Sequence, residues 1–304
     1  MADVCITEFT DPACPWAWSA EPFRRRLSWI YGERLEWRTC MVVLADAPEE
    51  YLDKGFTPAR QAESFRRISE DHGMPIDTRE RPRMAATEPA CRAVVAARMH
   101  APERERLLLR RLRMRHFCGQ LLDEAQTIAD AARDAGIDPG ELVGWAREAA
   151  VEEALAHDRA RAREPLQAAQ VLDHKLANWS GGVRYTCPSY EIVRISDGVR
   201  IAVPGFQPFA VYDVVTANLV PGVDRREPPE DVAEVLAWTG TPLATKEVAV
   251  VCDIPLHEAR ERLGRVASEQ HVGFDGFWTL ARTQGRFAAG GPTSGRHMAA
   301  SGTP

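Results

Sequence analysis

The residues best equipped for chemistry lie near the start of the chain, in Asp11-Pro12-Ala13-Cys14-Pro15-Trp16-Ala17-Trp18. An apolar run, Val4-Cys5-Ile6-Thr7-Glu8-Phe9, precedes them, and a helical pattern from Ser19 to Leu27 follows. A cysteine at such a strand-to-helix turn, with proline opening the helix, meets unpaired N–H groups and the positive end of the helix dipole. Thiols in these places ionise at pKa values of roughly 3.5 to 7.5 and act as nucleophiles. Trp16 and Trp18 are expected to cover the sulfur, with Ala13 leaving access. Ala17 stands where a two-cysteine redox motif carries its second sulfur. A mixed disulfide formed at Cys14 therefore needs a thiol from elsewhere to release it.

A second stretch, Thr186-Cys187-Pro188, follows Gly181-Gly182 and opens an extended run, Ser189 to Ile195. A proline that starts a strand after a glycine-rich loop is a place for a cis peptide. The remaining cysteines, at positions 5, 40, 91, 118 and 252, are scattered and read as small buried hydrophobes. Seven cysteines, an odd count without a signal-like N-terminus, do not read as a disulfide framework.

The 304 residues suffice for two domains, and 45% hydrophobic with 27% charged residues is ordinary for a globular chain. A net charge of −6 disfavours a chain-wide nucleic-acid or membrane-surface role. No segment has the roughly 18 apolar residues of a membrane helix, so a cytoplasmic protein is expected.

Strand, helix to about Tyr31, and strand again (Leu35 to Leu44) predict a βαβ unit with parallel strands. From Ala47 to Pro165 the pattern is helical: Pro58 to Ile68, Glu88 to Met99, Glu103 to Leu122, Glu124 to Ala135, and Gly140 to about Glu164. Arginines within Arg104 to Arg115 interleave with leucines at helical spacing, which predicts a solvated amphipathic face. A strand pair turning at Ser196-Asp197-Gly198 and a helix from Gln207 to Ala217 follow. Leu219 to Pro229 reads as a linker. Helices over Glu230 to Trp238, Thr245 to Val251 and Pro255 to Ser268, then a hairpin turning at Asp275-Gly276, match a winged helix-turn-helix. His257, Arg260, Arg262 and Arg265 could meet phosphates, but Glu258, Glu261 and Glu269 among them favour a protein-contact or core-covering module. From about Gln284 the composition predicts a disordered tail.

Asp11-Pro12-x-Cys14-Pro15-Trp16-x-Trp18 after a first strand, the long helical segment, and Thr186-Cys187-Pro188-Ser189-Tyr190 before a strand together resemble the DsbA-type thioredoxin superfamily, especially its FrnE-like dithiol-disulfide isomerases. Ala86 to Val94 and Phe117 with Ala129 to Asp138 resemble that group's helices. The resemblance covers about residues 3 to 217. It implies an α/β, thioredoxin-like fold (1–46 and 165–218) with a large all-helical insertion (47–164). A small winged-helix-like module (226–283) and a tail (284–304) follow. It further implies Cys14 as the attacking cysteine, Pro188 as a cis-proline, and Pro15, Trp16, Trp18 and Thr186 lining the binding groove. Cys187 is either a small buried side chain or faces Cys14, where it would pair with it or share a ligand. Ala17 departs from the family pattern. Relatives that lost cysteines include kappa-type transferases and isomerases, and YjbH-like adaptors that present clients to a protease. The expected function is thiol-disulfide exchange through Cys14 on a protein or low-molecular-weight thiol. The rivals are a non-catalytic adaptor and a redox-responsive DNA-binding regulator. No cofactor is expected, and the scattered histidines and cysteines form no metal-ligand spacing.

Overall fold

In the chain's first strand, β1 (Val4–Thr10), all seven residues are buried. That burial puts it at the centre of the sheet, where its branched and aromatic side chains fill both faces. The structure, a computed structural model, describes residues 2–179, 181–220 and 222–281; the expected tail lies outside them. Helix α1 (Pro15–Tyr31) leaves β1 and returns to β2 (Leu35–Met41). Strands β1 and β2 pair in parallel, as the βαβ pattern predicts.

The helices α2 (Glu49–Asp53), α3 (Pro58–His72), α4 (Glu88–His100), α5 (Pro102–Phe117), α6 (Ala125–Asp134), α7 (Pro139–Ala146), α8 (Ala149–Ala162) and α9 (Gln167–Gln170) come next. A short hairpin, β3 (Leu176–Trp179) and β4 (Gly182–Tyr185), then β5 (Ser189–Arg194), β6 (Arg200–Val203) and α10 (Phe209–Leu219) return the chain to the sheet. The main sheet has the order β2-β1-β5-β6, with β5 antiparallel to both β1 and β6. This is the thioredoxin-like arrangement, with α2 to α8 inserted after β2.

Three expectations need correction here. The helix expected over Glu103 to Leu122 stops at Phe117, because Gly119 takes φ +103° and Arg81 donates to the carbonyls of His116 and Gln120. The helix expected from Gly140 to Glu164 breaks at Glu148, whose extended ψ of 137° starts α8. The break lets Leu142 of α7 and Val151 and Leu155 of α8 enter one core with α4. Two arginines of α5 leave the expected solvated face: Arg110 and Arg113 are buried, while Arg104 is exposed. Helix α5 is covered on both sides, and these two arginines meet carboxylates there. Arg113 binds Glu8, Glu21 and Thr10.

The C-terminal region runs α11 (Val232–Thr239), β7 (Leu243–Ala244), α12 (Thr245–Cys252), α13 (Leu256–Val266), β8 (Ala267–Val272) and β9 (Asp275–Leu280), its strands ordered β7-β9-β8. The hairpin turns at Gly273-Phe274, two residues before the expected Asp275-Gly276, because Val272 pairs with Asp275 and Gly273 supplies the positive φ of 62°. This region is docked on the rest of the protein. Glu247 of α12 is buried and binds Arg25 of α1 and Arg110 of α5. A Cβ on Gly273 would stand 2.1 Å from the Ile76 carbonyl oxygen, so the turn itself is seated on the inserted segment. The stretch expected to be a linker is pinned to α1: Arg226 N–H donates to Ile30, and the Trp29 indole to the Glu227 carbonyl.

Candidate functional site

Cys14 is the N-cap of α1, with extended backbone (φ −76°, ψ 114°) and Pro15 at the first helical position. The turn before it is built by Asp11. One carboxylate oxygen accepts from the Ala13 N–H at 2.8 Å, forming an Asx turn. The other accepts from the Leu44 N–H, the Thr87 hydroxyl and the Cys91 thiol, at 2.9, 2.7 and 3.4 Å. Those partners come from after β2 and from the start of α4, so only tertiary contact reveals them.

The loop before β5 lies against this turn. Its Cys187–Pro188 peptide is cis, and the Cys14 Sγ is 3.1 Å from the Cys187 carbonyl oxygen. Cys14 and Cys187 share one buried cluster with Phe9, Ala17, Cys40 and Tyr185. Both are free thiols. As a thiol, Cys14 donates to that carbonyl. As a thiolate it accepts from the Cys187 S–H and from the N–H groups of Ala17 and Trp16. Burial and Asp11 oppose ionisation, but the three donors outweigh them and bring Cys14 below the ordinary thiol value. Burial pushes Cys187 well above it, aided by its bond to Cys14. Cys5, Cys40, Cys91, Cys118 and Cys252 are raised too, each chiefly by burial. Among the seven cysteines, Cys14 alone is shifted toward the thiolate.

The other sequence-predicted residues divide. Trp16 is 41% exposed and packs on His72 and Phe206, with ring centroids 5.1 and 5.6 Å away. Trp18 does not cover the sulfur. It is fully buried in a separate core with Phe117 and Phe277, its indole donating to the Pro75 carbonyl. Four residues beyond Cys14, it lies one helical turn on, and the inserted and C-terminal segments bury it there. Thr186 spends its hydroxyl on the Lys175 carbonyl and so braces the loop. Cys14 is only 4% exposed, so Ala13 does not leave the sulfur open. Among the described residues, no group of three or more His, Cys, Asp or Glu side chains is arranged to hold a metal ion.

A thiol at a helix N-terminus, opposed by a cis-proline loop on a mixed four-stranded sheet, defines a thioredoxin-like fold. The DSBA-like thioredoxin domain model matches residues 5–165, and the chain belongs to that family. The ClpXP adapter protein SpxH of Halalkalibacterium halodurans is 26% identical over 279 residues, covering 88% of this chain and 84% of its own. A Nitrosomonas europaea protein described as a disulfide isomerase superposes with a TM-score of 0.54 at 15% identity, over 71% of this chain and 97% of its own. The cytosolic disulfide reductase DsbM of Pseudomonas aeruginosa gives 0.50 at 16%, over 71% and 100%. At these identities the structural matches establish the fold. No helix among the described residues is long and apolar enough to cross a membrane.

Proposed function

We propose that this protein carries out thiol-disulfide exchange through Cys14 alone, on a protein or low-molecular-weight thiol, in the cytoplasm. The observation that carries the reading is that Cys14 is the one cysteine whose surroundings favour the thiolate. The thiolate attacks a disulfide and forms a mixed disulfide; a second thiol then releases it. Cys187, held at the same turn but protonated, is the internal candidate for that step, and an external thiol is the alternative. Pro15, Trp16 and Pro188 would border the bound chain.

The test is the pH dependence of Cys14 alkylation by iodoacetamide, followed by mass spectrometry. A midpoint clearly below about 8.5, the free-thiol value, is expected; one at or above it overturns the reading. Acid-quenched isolation from the host would then identify the thiol attached to Cys14.

A second reading, a client-binding adaptor, is favoured by one observation. The SpxH alignment covers 88% of this chain and so reaches into the C-terminal region, whereas the two redox structures cover 71%. A Cys14→Ser chain that retains full biological activity would favour the adaptor. A DNA-binding role lacks free cations on α13: Arg260 pairs with Asp275 and Glu269, Arg262 with Glu258, and Arg265 with Glu261.

A further inference from the structure

Helix α1 carries the consecutive arginines Arg24, Arg25 and Arg26, and α5 repeats arginine at 106, 110 and 113. Spaced by four and three, the α5 residues share one helix face. Where α1, β2, α5 and the C-terminal region meet, three buried carboxylates answer them. Glu8 binds Arg113 and Arg106 at 2.9 and 3.3 Å, Glu21 binds Arg113, and Glu247 binds Arg25 and Arg110. Arg24 is left over. Among the described residues it makes no ion pair and no hydrogen bond. Its guanidinium lies 4.8 Å from the Trp37 ring centroid, with Arg106 5.5 Å from the same ring.

The shortfall shows in individual donors. The Arg24 Nε, the Arg106 Nε and Nη1, and the Arg110 Nε are closed off from solvent without an acceptor among the described residues. Native structures leave few buried donors unmade, because the cost is high and higher still for charged groups. Burial, and then Arg106 alongside, draws the Arg24 guanidinium down to about 9; Glu21 and Glu8 offset only part of this, and it stays charged at neutral pH. Residues 1, 180, 221 and 282–304 contain no Asp or Glu, so none of them can bring a side-chain carboxylate to it. A cleft of about 280 Å³ opens beside these groups, far more than the roughly 10–15 Å³ one water requires. Arg24, Arg25, Arg106 and Arg110 line it, with Thr239 and Thr241 from the turn between α11 and β7. Its carboxylates are Glu21, already held by Arg113, and Glu103, exposed and 3.7 Å from Arg104.

We infer that this cleft binds a phosphate group, carried by inorganic phosphate or by a small phosphate monoester. The site is independent of the thiol chemistry, since Arg24 stands ten residues beyond Cys14 on α1, about 15 Å along the helix axis. Five guanidinium groups meet three buried carboxylates here, which leaves two positive charges in excess. A phosphate group carries about −1.5 to −2 charge at pH 7 and so matches that excess. A carboxylate ligand supplies half of it. Phosphate oxygens accept several N–H bonds at once, which suits the planar guanidinium fork, and threonine hydroxyls can donate to the oxygens that remain. Glu247 holds Arg25 and Arg110, and Glu8 holds Arg106, so most of the donors are ordered before the ligand arrives.

The test is isothermal titration calorimetry of the full-length protein with inorganic phosphate, at an ionic strength fixed with sodium chloride. One saturable site is expected. Arg24→Met keeps the stem beside Trp37 and removes a guanidinium that no protein group pairs. Phosphate affinity is expected to fall about tenfold or more, as for loss of a hydrogen bond to a charged group. Absence of saturable binding by the wild type overturns the inference, and so does an unchanged affinity in the variant. Acetate binding as tightly as phosphate overturns the choice of ligand. Glycerol 3-phosphate separates the two sources: tighter binding than inorganic phosphate assigns the site to a monoester, weaker binding to the free ion. Should the variant not fold, the wild type decides. Saturating phosphate must then slow hydrogen exchange in residues 20–28, 103–110 and 239–244, and no protection there overturns the inference.

Discussion

Replacing Glu247 with alanine tests how the C-terminal region is joined to α1 and α5. The carboxylate is fully buried. It accepts from the Arg25 Nε at 2.5 Å, from two Arg110 nitrogens at 2.8 and 2.6 Å, and from the Ala244 N–H at 2.8 Å. The side chains of Arg25 and Arg110 are 11% and 5% exposed, so neither reaches water freely. Arg110 also lies over the Trp18 ring, 4.6 Å from its centroid, which holds it in place. Removing the carboxylate strands two guanidinium groups and a backbone donor. Deleting one partner of a buried ion pair costs about 3 to 5 kcal/mol, a large part of the 5 to 15 kcal/mol that typically holds a domain folded. Urea unfolding of Glu247→Ala should lose roughly that amount. Hydrogen exchange should rise first in residues 232–280, where α12 leaves α1 and α5. Adding Arg110→Leu should recover part of the loss, since one stranded charge is then gone. A loss under about 1 kcal/mol would refute the reasoning, because it would place the arginines in water rather than in a buried junction.

Cys187→Ala removes the thiol that donates to Cys14; the Cys14 alkylation midpoint should rise relative to wild type, and a fall would contradict the assigned donor. Burial works against ionisation of Glu8 and Glu21, but Arg113 and neighbouring arginines overcome it and hold both carboxyls below their ordinary value of 4.5. They bind fewer protons folded than unfolded, so their contribution is full above about pH 4.5 and drains away as pH falls below it. Urea midpoints measured from pH 7 to pH 3 should therefore decline, and Arg113→Met should cost about 3 to 5 kcal/mol at pH 7. Gly273→Ala combines a Cβ 2.1 Å from the Ile76 oxygen with φ 62°. It should lower the melting temperature by several degrees, at a cost of about 1 to 3 kcal/mol, and a melting curve matching wild type would show that the turn is not seated there.

Much of the fold was legible because its signals are local. The parallel β1–β2 unit follows from two apolar runs around a helical pattern, and the C-terminal helices follow from periodicity and caps such as Asp231, which accepts from the Ala233 N–H. The Cys14 turn was legible from its proline and from the strand and helix that flank it. Where the reading of the residues went astray, a distant partner had changed the meaning of a side chain. The arginines of α5 alternate with leucines as a surface helix would, yet Glu8, Glu21 and Glu247 turn two of them into buried structure. Trp18 stands beside Cys14 in sequence, but helical geometry carries it a full turn away into another core.

The sequence by itself determined the local element: a cysteine at a strand-to-helix turn with a proline opening the helix, and an alanine where a second sulfur would stand. These depend on residues within a few positions of each other, whose backbone and dipole effects act locally. Tertiary structure alone decided what surrounds the sulfur. Asp11 meets Thr87 and Cys91, the Cys187 loop meets Cys14, and Glu247 locks α12 to α1. Each joins residues at least 76 positions apart, and burial brings together charges and donors that no sequence spacing relates.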